Sequence, residues 1–106
     1  MIKLARLTLE EKKGEKITVL DVRKLSSVTD YYVICTGLNT RHYRALVDAC
    51  EKALVEHGRK PYRMSGTPDS AWMILDYLDF VVHVFGEKAR EHFALETLWK
   101  DAPRLG

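Results

Sequence analysis

The sequence predicts an α+β domain: one mixed β-sheet of about five strands with helices packed against it. Three observations lead there. Apolar residues at i, i+3, i+4 spacing mark a long amphipathic helix in the middle of the chain. Short β-branched runs bounded by Gly, Pro, Asp and Ser lie on both sides of it. Helical and strand patterns do not alternate strictly, which argues against a doubly wound parallel sheet. A chain of 106 residues has the size of one domain, read here as 1–106.

Taken in order, residues 2–12 predict a short helix with Ile2, Ala5 and Leu9 on one side, stopped by Gly14. Lys16 to Val22 alternates in part, with Ile17 and Val19 set against Thr18 and Asp21, and reads as a strand. Arg23 to Ser27 is a turn or bulge. Tyr31 to Thr36 is a second strand, apolar enough to be central, and the polar link suggests an antiparallel pair. Gly37 ends it, and Asn39 or Thr40 caps the long helix. The core-facing set of that helix is Tyr43, Leu46, Val47, Cys50, Ala53, Leu54 and His57, with Gly58 as its stop. Arg59 to Met64 predicts a short strand, and Ser65 to Ser70 a loop by composition. Ala71 to Asp76 and Asp79 to Phe85 predict two more strands joined by a tight turn at Tyr77-Leu78. Glu87 to Lys100 predicts a final helix, ended by Ala102-Pro103.

Composition narrows the function classes. Net charge is +2 with no run of five like charges, so a nucleic-acid role would need local patches and not bulk charge. Cys35 and Cys50 sit in apolar stretches without a C-x-x-C spacing and read as reduced core thiols. Met1 to Lys13 lacks the apolar run of a signal peptide, and Phe80 to Phe85 is too short to cross a bilayer. The expectation is a cytoplasmic protein with no membrane contact.

Catalytic patterns are missing from the sequence: no G-x-S-x-G, no Gly-rich phosphate loop, no H-E-x-x-H. Gly37 stands between a strand and a helix, but one glycine followed by Leu38 makes no phosphate cradle. Asp76 and Asp79 are the one carboxylate pair worth weighing for magnesium chemistry. They are three apart and flank a turn, whereas ligands sharing a strand face stand two apart, so they read as turn-bonding residues at an exposed tip. His42, His57, His83 and His92 show no metal spacing, and His83, mid-strand, reads as a hydrogen-bonded structural residue. No metal and no cofactor are expected. Arg41, Arg44, Arg59, Lys60 and Arg63 gather at the two ends of the long helix, either as a solvated surface or as contacts to RNA phosphates. If Met73 and Leu75 face the core, Trp72 lies on the other face of its strand, as an interface anchor or as a cover for the sheet. Phe93, Leu95, Leu98 and Trp99 spread over more than half the last helix, so it is either sandwiched in the fold or faces another chain.

Several separated segments together resemble the ribosomal silencing factor, or Iojap, family. They are Leu20-Asp21-Val22; Ser26 through Gly37; Arg41-His42; Gly66 with Trp72 and Asp76; Asp79 through Phe85; and Arg90 with Leu95 through Trp99. The resemblance implies a fold similar to nucleotidyltransferases without their active site, and a protein that is not an enzyme. It implies binding to the large ribosomal subunit through ribosomal protein uL-fourteen, where the small subunit would join, lowering translation in nutrient shortage. Organelle relatives imply the alternative of large-subunit assembly; a nucleotidyltransferase-like enzyme and a free-RNA binder are the other readings weighed. The family's partner-facing tryptophan falls on Trp72, with Asp76, Leu78, Asp79 and His83 beside it as partner-binding candidates. Arg41 and Arg44 are carried as incidental ribosomal RNA contacts, and a homodimer is implied. Three positions depart from the family pattern: Ser65 for an acidic residue, Leu78 for a turn glycine, and His92-Phe93 for Phe-Tyr. A leucine at 78 predicts a turn that avoids positive φ there or carries strain.

Overall fold

The computed structural model describes residues 1–105 and shows six strands in one sheet, in the order β3-β4-β5-β2-β1-β6. The chain runs α1 (Ile2–Glu11), β1 (Glu15–Asp21), β2 (Tyr31–Gly37), α2 (Thr40–Glu56), β3 (Arg63–Thr67), a 3₁₀ turn (Pro68–Ser70), β4 (Trp72–Asp76), β5 (Phe80–Gly86), α3 (Glu87–Phe93), α4 (Leu95–Leu98) and β6 (Arg104–Leu105). The sheet is mixed, as expected: β2 and β5 pair in parallel, and every other pairing is antiparallel. All seven residues of β5 are buried, which fits a central strand covered on both faces and explains its apolar run, interrupted at His83.

The first face carries the larger core. Ala5 and Leu9 of α1, with Tyr43, Leu46, Val47, Cys50 and Leu54 of α2, close on Val19, Val33, Cys35, Leu75, Phe80, Val82 and Val84. The α2 pattern holds over most of its length because five apolar positions of one helix face meet this sheet face. It fails at His57, which is exposed at the C-cap with Nδ1 3.0 Å from the Ala53 carbonyl. The helix begins on Asn39, whose Oδ1 accepts the His42 N–H at 2.9 Å. Cys35 and Cys50 are both buried and unpaired.

Four expectations change. The strand predicted at 59–64 lies at Arg63–Thr67, so the first half of the expected Ser65–Ser70 loop is sheet and the second half is the 3₁₀ turn. The strand's residues have little strand propensity; pairing with β4, Thr67 to Trp72 through Arg63 to Asp76, overrides it. Gly66 makes the pairing feasible: at φ +82°, a Cβ there would run into the Trp72 carbonyl oxygen. The single helix expected from Glu87 to Lys100 is two, broken at Ala94 in the left-handed region (φ 47°). A sixth strand, β6, pairs with β1 (Val19 with Leu105, Leu20 with Arg104), where the sequence suggested about five. Finally, the partial alternation of β1 reflects a bulge between Glu15 and Thr18, with Lys16 at φ 50°.

The break at Ala94 accounts for the wide apolar arc of the last helical region. It turns Leu95 and Trp99 onto a second cluster with Leu20, Val22, Ile34, Phe85 and Ala102. Phe93 is left over Trp72, and Leu98 points outward, 69% exposed. Arg90 anchors the break. Its Nη1 donates to the Lys16 carbonyl (2.6 Å) and Thr36 Oγ1 (2.8 Å), Nη2 donates to Thr18 Oγ1 (3.1 Å), and Nε donates to Glu96 Oε1 (2.8 Å).

Candidate docking surface

The second face of the sheet is only partly covered by α3 and α4. With Leu75 buried on the first face and Met73 packed against the same core, alternation places Trp72, Ile74 and Asp76 here. Trp72 is therefore neither fully outside nor fully in. Its ring lies 4.1 Å from the Phe93 ring and 5.2 Å from that of Phe85, and it stays half-buried. Its Nε1–H donates to His83 Nδ1 at 3.0 Å.

That bond assigns the His83 tautomer. Nδ1 accepts, so the neutral ring carries its proton on Nε2. Burial pushes the His83 pKa down to about 4, against a partial upward pull from the Asp76 carboxylate. Nε2 is buried and has no partner among the described residues. Tyr32 stands beside it, ring centroids 5.3 Å apart, and Trp99 lies 5.9 Å beyond Tyr32. Burial, then the Asp76 charge, raises the Tyr32 pKa. The result is an aromatic row across the sheet: Phe93, Trp72, His83, Tyr32, Trp99, underlain by Phe85. Phe93, 43% exposed, forms its open rim.

The β4–β5 turn leads away from this row. Asp76 Oδ1 accepts the Leu78 N–H at 2.8 Å, and Asp79 N–H donates to the Tyr77 carbonyl at 2.9 Å. Leu78 takes φ 72°, so the strain anticipated from a leucine at this position is present. Its side chain is 57% exposed at the tip. Asp79 pairs with Arg59 at 2.6 Å. Thus Asp76 bonds turn backbone, as its position suggested, while Asp79 holds a guanidinium. Among the described residues no group of three or more His, Cys, Asp or Glu side chains converges.

The structure gathers Trp72, Asp76 and His83 on one face and puts Leu78 and Asp79 at the adjoining turn. Arg41 and Arg44 are not part of this set. They lie on α2, across the sheet, lining a shallow cavity with Thr40, Pro68 and Asp69. Three contributions lie outside the sequence reading: Tyr32, Phe93 as a partner of Trp72, and Arg59, expected as a solvated surface or an RNA-phosphate contact, as the partner of Asp79. Tyr32 was readable by alternation from Ile34 once the faces of β2 were assigned. Arg59 was not, because it meets Asp79 across twenty residues of chain.

The fold and this surface define an α+β domain with a half-covered aromatic sheet face beside an apolar-tipped turn. The chain matches the family model described as ribosomal silencing factor during starvation over residues 1–106, and it belongs to that family. It is 34% identical to the ribosomal silencing factor of Bacillus subtilis over 103 residues, covering 97% of this chain and 87% of the relative. A murine protein named for mitochondrial assembly of the ribosomal large subunit is 32% identical over 86% of this chain but 41% of its own length. A crystal structure of a Chromobacterium violaceum protein superposes with a TM-score of 0.88 at 34% identity, covering 92% of this chain and 82% of that one.

Proposed function

We propose that this protein represses translation by occupying the large ribosomal subunit through ribosomal protein uL-fourteen, so that the small subunit cannot join when nutrients are short. The reading places it in the cytoplasm and requires no turnover. Its partner-binding residues are Trp72, Asp76, Leu78, Asp79 and His83, with Arg41 and Arg44 as secondary contacts to ribosomal RNA. Membership in the silencing-factor family supports a ribosomal partner, and uL-fourteen is the partner the sequence resemblance implies. The observation that carries the surface is the half-covered aromatic face, since aromatic rings with a wet edge are the usual anchors of protein interfaces. Asp76 bonds the Leu78 N–H and Asp79 pairs with Arg59, so both carboxylates are engaged in holding the turn, which supports occupancy over catalysis.

The test is co-sedimentation with purified large subunits and pull-down of isolated uL-fourteen. Trp72→Ala removes a ring packed on Phe85 and Phe93, so it destabilises the fold as well, by about 3 kcal/mol. Trp72→Phe keeps much of the packing and is the better probe. Wild type is expected to bind both targets at micromolar protein and Trp72→Phe to bind more weakly; absence of wild-type binding sinks the proposal. A second reading, participation in large-subunit assembly, is favoured by the murine relative's name. It predicts that loss of the protein leaves precursor large subunits even in rich medium.

A further inference from the structure

The Leu78 turn is held by contacts from three directions: its own strands, Asp30 and Arg59. Leu78 N–H is tied to Asp76 Oδ1, Tyr77 N–H donates to the Phe80 carbonyl at 2.9 Å, and Asp30 N–H donates to the Asp79 carbonyl at 3.0 Å. Arg59, arriving from the end of α2, adds the brace. One nitrogen, Nη2, donates to Asp79 Oδ1 at 2.6 Å and to the Tyr77 carbonyl at 3.3 Å. The same guanidinium lies over the rings of Tyr77 (5.9 Å) and Phe80 (5.6 Å), on either side of the tip. A large side chain in the left-handed region persists only where its surroundings over-determine it, and these contacts do so. Yet they support a leucine that packs on little and is mostly exposed. The fold gains nothing evident from it.

We infer that Leu78 is a preformed apolar knob that selects an apolar pocket on a protein partner, and that Arg59 is the positioning residue that holds it ready. This rests on the docking reading above and deepens it. The knob has no charge or hydrogen-bonding group, so its complement is a protein surface and not a phosphate backbone. Rigidity in the free protein lowers the ordering cost on binding, which is how Arg59 acts without touching the partner.

The experiment is a double-mutant cycle on binding to purified large subunits, read beside thermal unfolding and amide exchange. Leu78→Ala weakens binding about tenfold and Arg59→Gln about fivefold. In the double variant the loss stays within about twofold of Leu78→Ala alone, because the brace has nothing left to present. Arg59→Lys keeps the charge and recovers part of the loss. In Arg59→Gln the Leu78 amide exchanges faster while amides of β2 and β5 do not change. Leu78→Gly separates function from structure: it relieves the backbone and raises the unfolding temperature, yet binds as poorly as Leu78→Ala. Wild type that binds while Leu78→Ala binds equally well overturns the inference and leaves the docking proposal standing. A full fivefold loss from Arg59→Gln on top of Leu78→Ala makes Arg59 a direct contact and overturns its positioning role. Wild type that does not sediment at all removes both readings.

Discussion

His83 shows how one buried residue ties the aromatic row to pH. Its ring must stay neutral to accept the Trp72 N–H, and burial holds its pKa near 4. In the unfolded chain the same group titrates near 6.5. Between those values the unfolded state binds more protons than the folded one, so stability rises with pH across that window. The contribution is fully present above about pH 6.5, is lost as pH falls toward about 4, and changes no further below that. Its size is about 3 kcal/mol. Chemical denaturation measured from pH 4 to pH 7 is expected to show this slope, and His83→Phe to flatten it. A wild-type profile flat over that range contradicts the assignment of His83 as a buried neutral acceptor. His83 was readable in the sequence as a structural histidine in a buried strand. Its partner was not, because Trp72 and His83 face each other only once β4 and β5 are in register, Ile74 opposite His83.

At the scale of elements, the kink between α3 and α4 depends on Arg90 and Ala94. Ala94 sits at φ 47°, where a Cβ costs about 1 kcal/mol that glycine avoids, so Ala94→Gly is expected to raise stability by roughly that amount. Arg90 is nearly buried and pairs with Glu96, whose pKa is lowered chiefly by its bond to Arg90 and by the charges of Arg90, Arg104 and Lys16. Arg90→Leu takes from Glu96 its nearest partner, leaving Arg104 at 3.8 Å, and removes the donor to the Thr36 hydroxyl, and is expected to cost about 2 kcal/mol. Urea denaturation of the two variants should move the midpoint in opposite directions. The kink had no sequence signal because neither Gly nor Pro marks it; tertiary bonds from Arg90 decide it. The same holds for β3 and β6. Ser65-Gly66-Thr67 and Arg104-Leu105 become strands only because β4 and β1 offer free edges. By contrast α2 was legible nearly to the residue, since its period and its Asn39 cap are local properties.

On the scale of the whole molecule, charge separates the two kinds of partner surface. A net charge of +2 gives little long-range attraction to RNA. Local order agrees: Arg59 is committed to Asp79, Arg23 to Asp21 and Arg90 to Glu96, so these cations are already neutralised within the fold. Arg41 and Arg44 are on the far side of the sheet from the aromatic row. A domain that reached the ribosome through phosphates would release counterions, and its affinity would fall with a slope of about one decade per decade of salt for each phosphate engaged. An aromatic face with an apolar knob releases few, and its affinity depends mainly on buried apolar area. The expected outcome is a log–log salt slope shallower than about −2 between 50 and 300 mM monovalent salt, at the fixed magnesium that keeps subunits intact. Paired Arg41→Ala and Arg44→Ala changes should flatten that slope while costing less affinity than Leu78→Ala alone. A steep slope removed by the arginine pair would move the docking surface to the other face of the sheet, and the aromatic row would then be a cover for the core.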